Sequence, residues 1–377
     1  MATLVPTLAF WLSIGALAYT FVGYSALIGW LARGRKIVPR ALPDAPPAVC
    51  VVVVAYNEES RIGARLENLL SSHYPPEKLR VLLVSDSSAD ATVARAQAFD
   101  PQRVSVLVQP TRAGKAAGLN TALAQATGEI VVFTDARQRF APDAIARLAA
   151  HFTDPRIGAV SGSLEIEAAS SAAGAGVDTY WRMEKALRAA ESRFDSCIGC
   201  TGAIYAIRRT LFTPIPADTL LDDVVIPMHI AAGGARVIHD PEAVAFDPQA
   251  LEPASEQRRK QRTLAGNFQM LFRYPGWLLP WRHRLWWQLL SHKYLRLAAP
   301  FFLLTAFTAN LALAAQPFYL ATLAGQALFY AAAALGLMVH SRWLRILSLP
   351  AGFIFLNFMS LRGLWQFLTQ RDRPGWK

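Results

Sequence analysis

Gly128 to Arg137 reads GEIVVFTDAR, a short β-branched and aromatic run that stops on Asp135. A run this short, closed by a lone acid and followed by Pro142, predicts a buried parallel strand that delivers a carboxylate to the C-terminal edge of a sheet. Open α/β sheets bind their ligands at that edge. Taken alone, such an Asp reads equally well as the cap of the next helix. The segments before it decide between the two.

Val49 to Ala55 is a continuous apolar run that ends in Tyr56-Asn57-Glu58, after which Ile62, Leu66, Leu69 and Leu70 recur at helical spacing. Arg80 to Val84 ends in SDSSAD and is followed by a helical stretch from Ala91. Val104 to Val108 precedes the loop TRAGKAAGLN and a small-residue helix. This alternation predicts an α/β fold with a parallel sheet and right-handed crossovers. Asn57-Glu58, Asp86 with Asp90, and Asp135 then converge on one edge, a site for a ligand with hydroxyls, cations or both; Asp90 itself reads as the cap of the helix that follows. There is no P-loop, and no GxGxxG follows the first strand, which disfavours a dinucleotide fold.

Only 17% of the chain is charged, and its apolar segments cluster at the two ends. Leu8 to Ala32 carries no charge and is long enough to span a bilayer, which takes about 20 residues. It lacks the basic start and small-residue cleavage site of a signal peptide, and Arg33, Arg35, Lys36 and Arg40 follow it, so it reads as a retained anchor whose C-terminal end is cytoplasmic. Ala298 to Ala315 and Phe318 to Val339 are two further spans. Ile346 to Leu361 is a third, shorter candidate interrupted by Pro350, and it leaves the side on which the C-terminus lies open.

The formal charge of +11 would suggest nucleic acid if it formed a stripe on a soluble domain. Here the basic residues flank apolar segments, so the bilayer and its anionic head groups are the expected partner, and nucleic acid is not. The run WRHRLWWQLLSHKYLRL after Pro280 mixes aromatic and basic residues as a helix lying in the membrane interface does. Cys50, Cys197 and Cys200 are an odd set with a lone CxxC, so packing is expected of them rather than a disulfide or zinc site. Packing likewise accounts for Trp181, Met183 and Leu187.

AYNEES, VSDSSAD, GKAAGLN and FTDAR, in this order and spacing, resemble the nucleotide-sugar half of the family 2 glycosyltransferases, the membrane-anchored group that includes cellulose, chitin and hyaluronan synthases. TGAIYAIRR, LLDDVVIPMHI, RRKQRTLAGNFQ and SHKYLR continue the resemblance over residues 48 to about 300. It implies a GT-A (Rossmann-like) domain with transmembrane helices at both ends, and inverting transfer of a sugar from a nucleotide donor. UDP-sugars are favoured over GDP-sugars, and the acceptor is a lipid or glycan at the membrane in cell-surface polysaccharide or glycolipid synthesis. It places the enzyme in the plasma (inner) membrane as a multi-pass protein with a cytoplasmic catalytic domain. The implied division is 1–47 anchor and linker, 48–275 glycosyltransferase domain, 276–297 interfacial helix and 298–377 membrane region.

The resemblance also assigns roles. Asn57, Glu58 and Asp86 fall where the nucleoside is recognised, and Lys115 where ribose or phosphate is reached. Asp222 and Asp223 match the family's TED motif, with Asp223 at the position of the catalytic base. Arg259 and Arg262 lie one turn apart on the helix that corresponds to QxxRW, of which only Arg262 is retained; Thr263 replaces the Trp that lines the acceptor site in polymerising relatives.

A divalent cation, Mg or Mn, is held in this family by a DxD pair. Here Asp135-Ala136-Arg137 puts a base where the second acid belongs. Either Asp135 alone anchors the ion with phosphates and water, or Arg137 pairs with the diphosphate through its planar donors. Arg137 and Thr263 also admit a catalytically degenerate, nucleotide-sugar-binding scaffold subunit as the alternative function.

Overall fold

The computed structural model describes residues 3–38, 40–166, 174–247, 253–338 and 347–369. Helix α1 (Leu4–Leu31) leads into the domain. The domain then runs β1 (Val49–Ala55), α2 (Glu59–Leu70), β2 (Leu79–Ser85), α3 (Thr92–Gln97), β3 (Val104–Val108), α4 (Lys115–Gln125) and β4 (Ile130–Thr134). Its second half continues with β5 (Arg139–Phe140), α5 (Ala144–Ala150), β6 (Ile157–Ile166), α6 (Gly174–Phe194), β7 (Tyr205–Arg208), α7 (Asp222–Ala232), β8 (Arg236–Asp247) and α8 (Pro253–Arg273). Helices α9 (Trp286–Ala312), α10 (Pro317–Met338) and α11 (Ser348–Thr369) follow.

The eight strands form one sheet in the order β3-β2-β1-β4-β7-β6-β8-β5. The first four are parallel, as expected, with Val53 of β1 opposite Leu83 of β2 and Thr134 of β4. Beyond β4 the sheet becomes mixed, because β7 pairs antiparallel with both β4 and β6. All seven β1 residues are buried, which explains why its sequence is continuously apolar. On one face Val49, Val51 and Val53 pack with Ile62, Leu66 and Leu69 of α2. On the other, Cys50, Val52 and Val54 pack with Leu119, Ala122 and Leu123 of α4. The three cysteines are free, buried thiols. In α6, Leu187 is buried and Met183 is 57% exposed; the side chain of Trp181 lies outside the described residues.

Among the described residues, three helices are long and apolar enough to cross a membrane: α1, α9 and α10. Helix α11 covers most of the shorter third candidate and continues past Arg362; Ile346 lies outside the described residues. Its C-terminal half lies against α8: a Cβ on Gly363 would come within 2.6 Å of the Leu264 side chain, and Phe367 stacks on Phe272 at 5.3 Å. Close approach of two backbones needs a glycine there.

The basic and aromatic run after Pro280 departs from the expected separate interfacial helix. From Trp286 onward it is the first part of α9, with a π-helical turn at Leu290–Tyr294. His292, in that turn, is 1% exposed; its Nδ1 lies 2.9 Å from Glu191 Oε1 and its Nε2 2.8 Å from Glu184 Oε1. Tyr24 of α1 donates to the same Glu191 oxygen at 2.6 Å, and Arg296 donates to Glu184 at 3.0 Å. The polar residues of this run therefore join α1, α6 and α9 through a buried network. Aromatic and basic residues suit a lipid interface and a buried polar contact equally, so composition alone did not separate them.

Candidate active site

The parallel strands β1, β2 and β4 end on one edge, and the polar residues after them form two neighbouring groups. The first group joins the ends of β1 and β2. Asn57 adopts a left-handed backbone (φ 54°), and its Oδ1 accepts the Ala89 N–H at 2.9 Å. The Glu58 N–H donates to Thr92 Oγ1 at 2.8 Å, and its carboxylate accepts Arg61 at 3.0 Å. Asp90 accepts the N–H groups of Thr92 (3.0 Å) and Glu59 (3.1 Å), so it orders the start of both helices that flank this corner.

Asp86 is fully buried. Its Oδ1 accepts the N–H groups of Ala113 (2.7 Å) and Gly114 (3.1 Å), and its Oδ2 accepts Gly114 at 3.0 Å. This carboxylate clamps the loop that presents Lys115. Beside it the Arg112 guanidinium lies over the Tyr56 ring, 4.0 Å from its centroid, a flat cationic platform of the kind that stacks on a planar ligand.

The second group surrounds a cavity of about 310 Å³ whose walls include Lys115, Asp135, Asp222, Asp223, Arg259 and Arg262. Asn57, Glu58, Asp86 and Arg137 are not among its lining residues. Lys115 Nζ lies 2.9 Å from Asp135 Oδ1 and 3.3 Å from Asp222 Oδ2, joining the end of β4 to the start of α7. Burial alone would lower the Lys115 ammonium, but Asp135 and Asp222 hold it above its ordinary value. Burial works the other way on Asp135 and is outweighed by Lys115, so this carboxylate stays below the usual range. Its side chain remains 34% exposed to the cavity.

Asp223 is the next residue of α7. Its Oδ2 accepts the Gly202 N–H at 3.1 Å, and a Cβ on Gly202 would sit 2.9 Å from that oxygen. The position thus needs glycine to leave room for the acid. Burial and then the neighbouring Asp222 charge push the Asp223 carboxyl up to about 6, with Lys115 opposing them. A half-buried carboxylate whose proton affinity approaches neutrality suits general base work.

Arg137 turns away from the cavity and donates to Asp247 Oδ2 at 2.7 Å, where β8 ends. Arg262 donates to the Leu220 carbonyl at 3.2 Å on the rim just before Asp222. Thr263 is exposed at that rim.

Residues 50–214 match the family described as Glycosyl transferase family 2. The chain carries a glycosyl transferase family 2 domain. It is 31% identical over 240 residues to an N-acetylglucosaminyltransferase of Rhizobium meliloti (strain 1021), covering 56% of this chain and 54% of that one. It is also 31% identical over 219 residues to a beta-monoglucosyldiacylglycerol synthase of Synechocystis sp. (strain ATCC 27184 / PCC 6803 / Kazusa), covering 55% and 44%. The chain thus spans about half the length of the curated relatives it matches. Among solved structures, the mannosyltransferase PcManGT from Pyrobaculum calidifontis, in complex with GDP-Man and Mn2+, superposes with a TM-score of 0.72 at 27% identity, over 97% of this chain and 100% of that one. The GT-A expectation for the fold holds.

Some residues around the site escaped the sequence reading. Arg65 is 3% exposed; it donates to Thr134 Oγ1 at 2.7 Å behind Asp135 and stacks on Phe140. Its only signal was a charge on the otherwise apolar stripe Ile62–Leu66–Leu69. Asp247 gave none, since Arg137 lies 110 positions earlier in the chain; Gly202 lies within TGAIYAIRR, but nothing local marks it as the seat of Asp223, 21 positions later.

Proposed function

We propose that this domain transfers a sugar from a nucleoside diphosphate donor to a hydroxyl of a membrane-associated acceptor, with inversion at the anomeric carbon. The observation that carries the proposal is Asp223, a cavity carboxylate held by Gly202 and raised toward neutrality, set next to the Lys115–Asp135–Asp222 pairing. Asp223 takes the proton of the acceptor hydroxyl as that oxygen attacks the anomeric carbon. The bond from this carbon to the phosphate oxygen breaks, and its electron pair leaves with the nucleoside diphosphate. The transition state has oxocarbenium character.

The cationic side chains supply the electrostatics. Arg259 and Arg262 on α8, with Lys115, face the leaving diphosphate and offset its growing charge. Asn57, Glu58 and Asp86 belong to the nucleoside corner: Asp86 shapes the loop there, and Asn57 and Glu58 lie on the rim beside Arg112 and Tyr56. The solved mannosyltransferase is in complex with GDP-Man, whereas the family resemblance implies a UDP-sugar; a donor panel decides the base.

The carboxylate of Asp135 fits a divalent cation, because it is a hard oxygen ligand, one-third exposed, with only one oxygen engaged by Lys115. Asp135 would hold Mg or Mn together with donor phosphates and water, and the bound ion would stabilise charge on the leaving diphosphate. Arg137 is committed to Asp247, so its charge acts on the site from behind. Helices α1, α9 and α10 support a multi-pass membrane protein with the domain on the cytoplasmic face of the plasma membrane. A lipid or glycan acceptor in cell-surface polysaccharide or glycolipid synthesis accords with the glycolipid synthase relative. The scaffold alternative gains nothing from Arg137, whose pairing with Asp247 leaves Lys115, Asp135 and Asp223 together at the cavity.

The test is nucleotide release by purified protein in lipid bilayers with membrane lipid extract, against a panel of UDP- and GDP-sugars. Wild type should turn over with one donor and Asp223→Asn with none. Equal turnover by both proteins would remove Asp223 as the base.

A further inference from the structure

A second cavity, of about 300 Å³, lies back to back with the first; the side chain of His239 lines both. Its walls carry Lys36, Arg40, Arg147, His151 and Arg193, against the acids Asp240 and Glu242. The linker that follows α1 is fixed over this cavity from both sides. Arg35 donates to the Phe194 carbonyl at 2.6 Å, and Arg40 donates to Asp154 at 3.2 Å, so Lys36 is suspended between two anchored residues.

The charges here are unequally satisfied. Arg147 pairs with Asp143 and Glu242, and Arg40 with Asp154. Lys36 and Arg193 have no carboxylate partner among the described residues. His151 is 4% exposed; its Nε2 lies 2.9 Å from Asp240, while its Nδ1 is buried without a hydrogen-bond partner. Two cations without carboxylate partners at one cavity ask for an anion with several acceptor oxygens.

We propose that this cavity binds the phosphate of an anionic membrane lipid. Its position selects the source. Lys36 lies five residues beyond Leu31, the last residue of a helix long enough to cross the bilayer. At about 3.5 Å per residue this keeps it within roughly 18 Å of the helix end, in reach of the headgroup layer. Ile37 and Ala189 add an apolar lip suited to the glycerol and the first acyl carbons. The bound headgroup would hold the domain against the bilayer next to the wall that His239 shares with the catalytic cavity. The proposal is independent of the donor and acceptor assigned above.

The full chain in detergent, analysed by native mass spectrometry with phosphatidylglycerol or phosphatidylcholine of matched acyl chains, tests this. One phosphatidylglycerol should be retained and phosphatidylcholine not. Lys36→Gln, at an exposed position, should weaken retention about fivefold, and Lys36→Gln with Arg193→Gln about 30-fold. An unchanged thermal transition shows that both variants are folded. Equal retention of the two lipids, or equal phosphatidylglycerol affinity in wild type and the double variant, would overturn the proposal. Displacement of the lipid by millimolar inorganic phosphate would also overturn it, assigning the site to a soluble phosphate instead.

Discussion

Replacing Lys115 by Met removes a cation that touches both Asp135 and Asp222, at 2.9 and 3.3 Å. At 3.3 Å and an effective dielectric of about 20, the attraction to Asp222 is roughly 5 kcal/mol before desolvation is subtracted. Losing one partner of a buried pair typically costs about 3–5 kcal/mol. Part of that loss returns through proton uptake, because one of the crowded carboxylates can take a proton from solvent and lose its charge. Asp223 already sits at about 6 from burial and the Asp222 charge, and Lys115 is the largest influence holding it down. Without Lys115 its carboxyl should rise further, by on the order of one pH unit.

A base must be ionised to work, so turnover falls as pH drops through its proton affinity. The acid limb of the rate profile should therefore centre near pH 6 in wild type and move to higher pH in Lys115→Met, together with a lower plateau from weaker diphosphate stabilisation. Nucleotide release measured between about pH 5 and pH 8.5, a range that brackets both limbs, reads both effects. A lower plateau with an unmoved acid limb would refute the reasoning, since it would mean that Lys115 does not act on the base.

Gly202→Ala should displace the Asp223 carboxylate, because the new methyl would lie 2.9 Å from Oδ2; kcat should fall about 100-fold with the thermal transition little changed. Asp223→Asn should raise Tm near pH 7 while abolishing turnover. A raised carboxyl favours the folded state below its unfolded value and loses that advantage as pH rises through about 6, so removing the charge recovers roughly 1–2 kcal/mol, a partial share for a half-buried group; a lower Tm would contradict this. Chelation should cut turnover at least about tenfold and added Mn or Mg restore it; full activity with chelator would leave Asp135 without a metal role. In the Arg137–Asp247 pair, a double-mutant cycle with Arg137→Met and Asp247→Asn, read by Tm, should give a coupling of about 1–3 kcal/mol, and additivity would show the pair to be incidental.

The strand ends were legible because the physics that creates them is local. Val49–Ala55 and Ile130–Thr134 are apolar on both faces since helices cover both, and the first polar residue after each run must surface at the sheet edge. Lys115 and Asp223 were placed by the family resemblance of GKAAGLN and LLDDVVIPMHI; their local patterns alone read as a surface loop cation and a helix-capping acid. What escaped the sequence is long-range pairing. Arg137 looked like a cation offered to the diphosphate because nothing near it in the chain announces Asp247, 110 positions later. Asp86 looked like a free strand-end acid, yet its two oxygens are taken by the loop it positions. His292 looked like an interfacial residue because its partners Glu184 and Glu191 lie on a helix about 100 residues earlier.

The measurement that bears most directly on the mechanism is the anomeric configuration of the transferred sugar, read by NMR coupling constants on product made from an α-linked nucleotide donor. Direct attack by an acceptor hydroxyl deprotonated by Asp223 gives a β-linked product. An α-linked product would contradict the account, since it needs either two displacements or attack from the face of the leaving diphosphate.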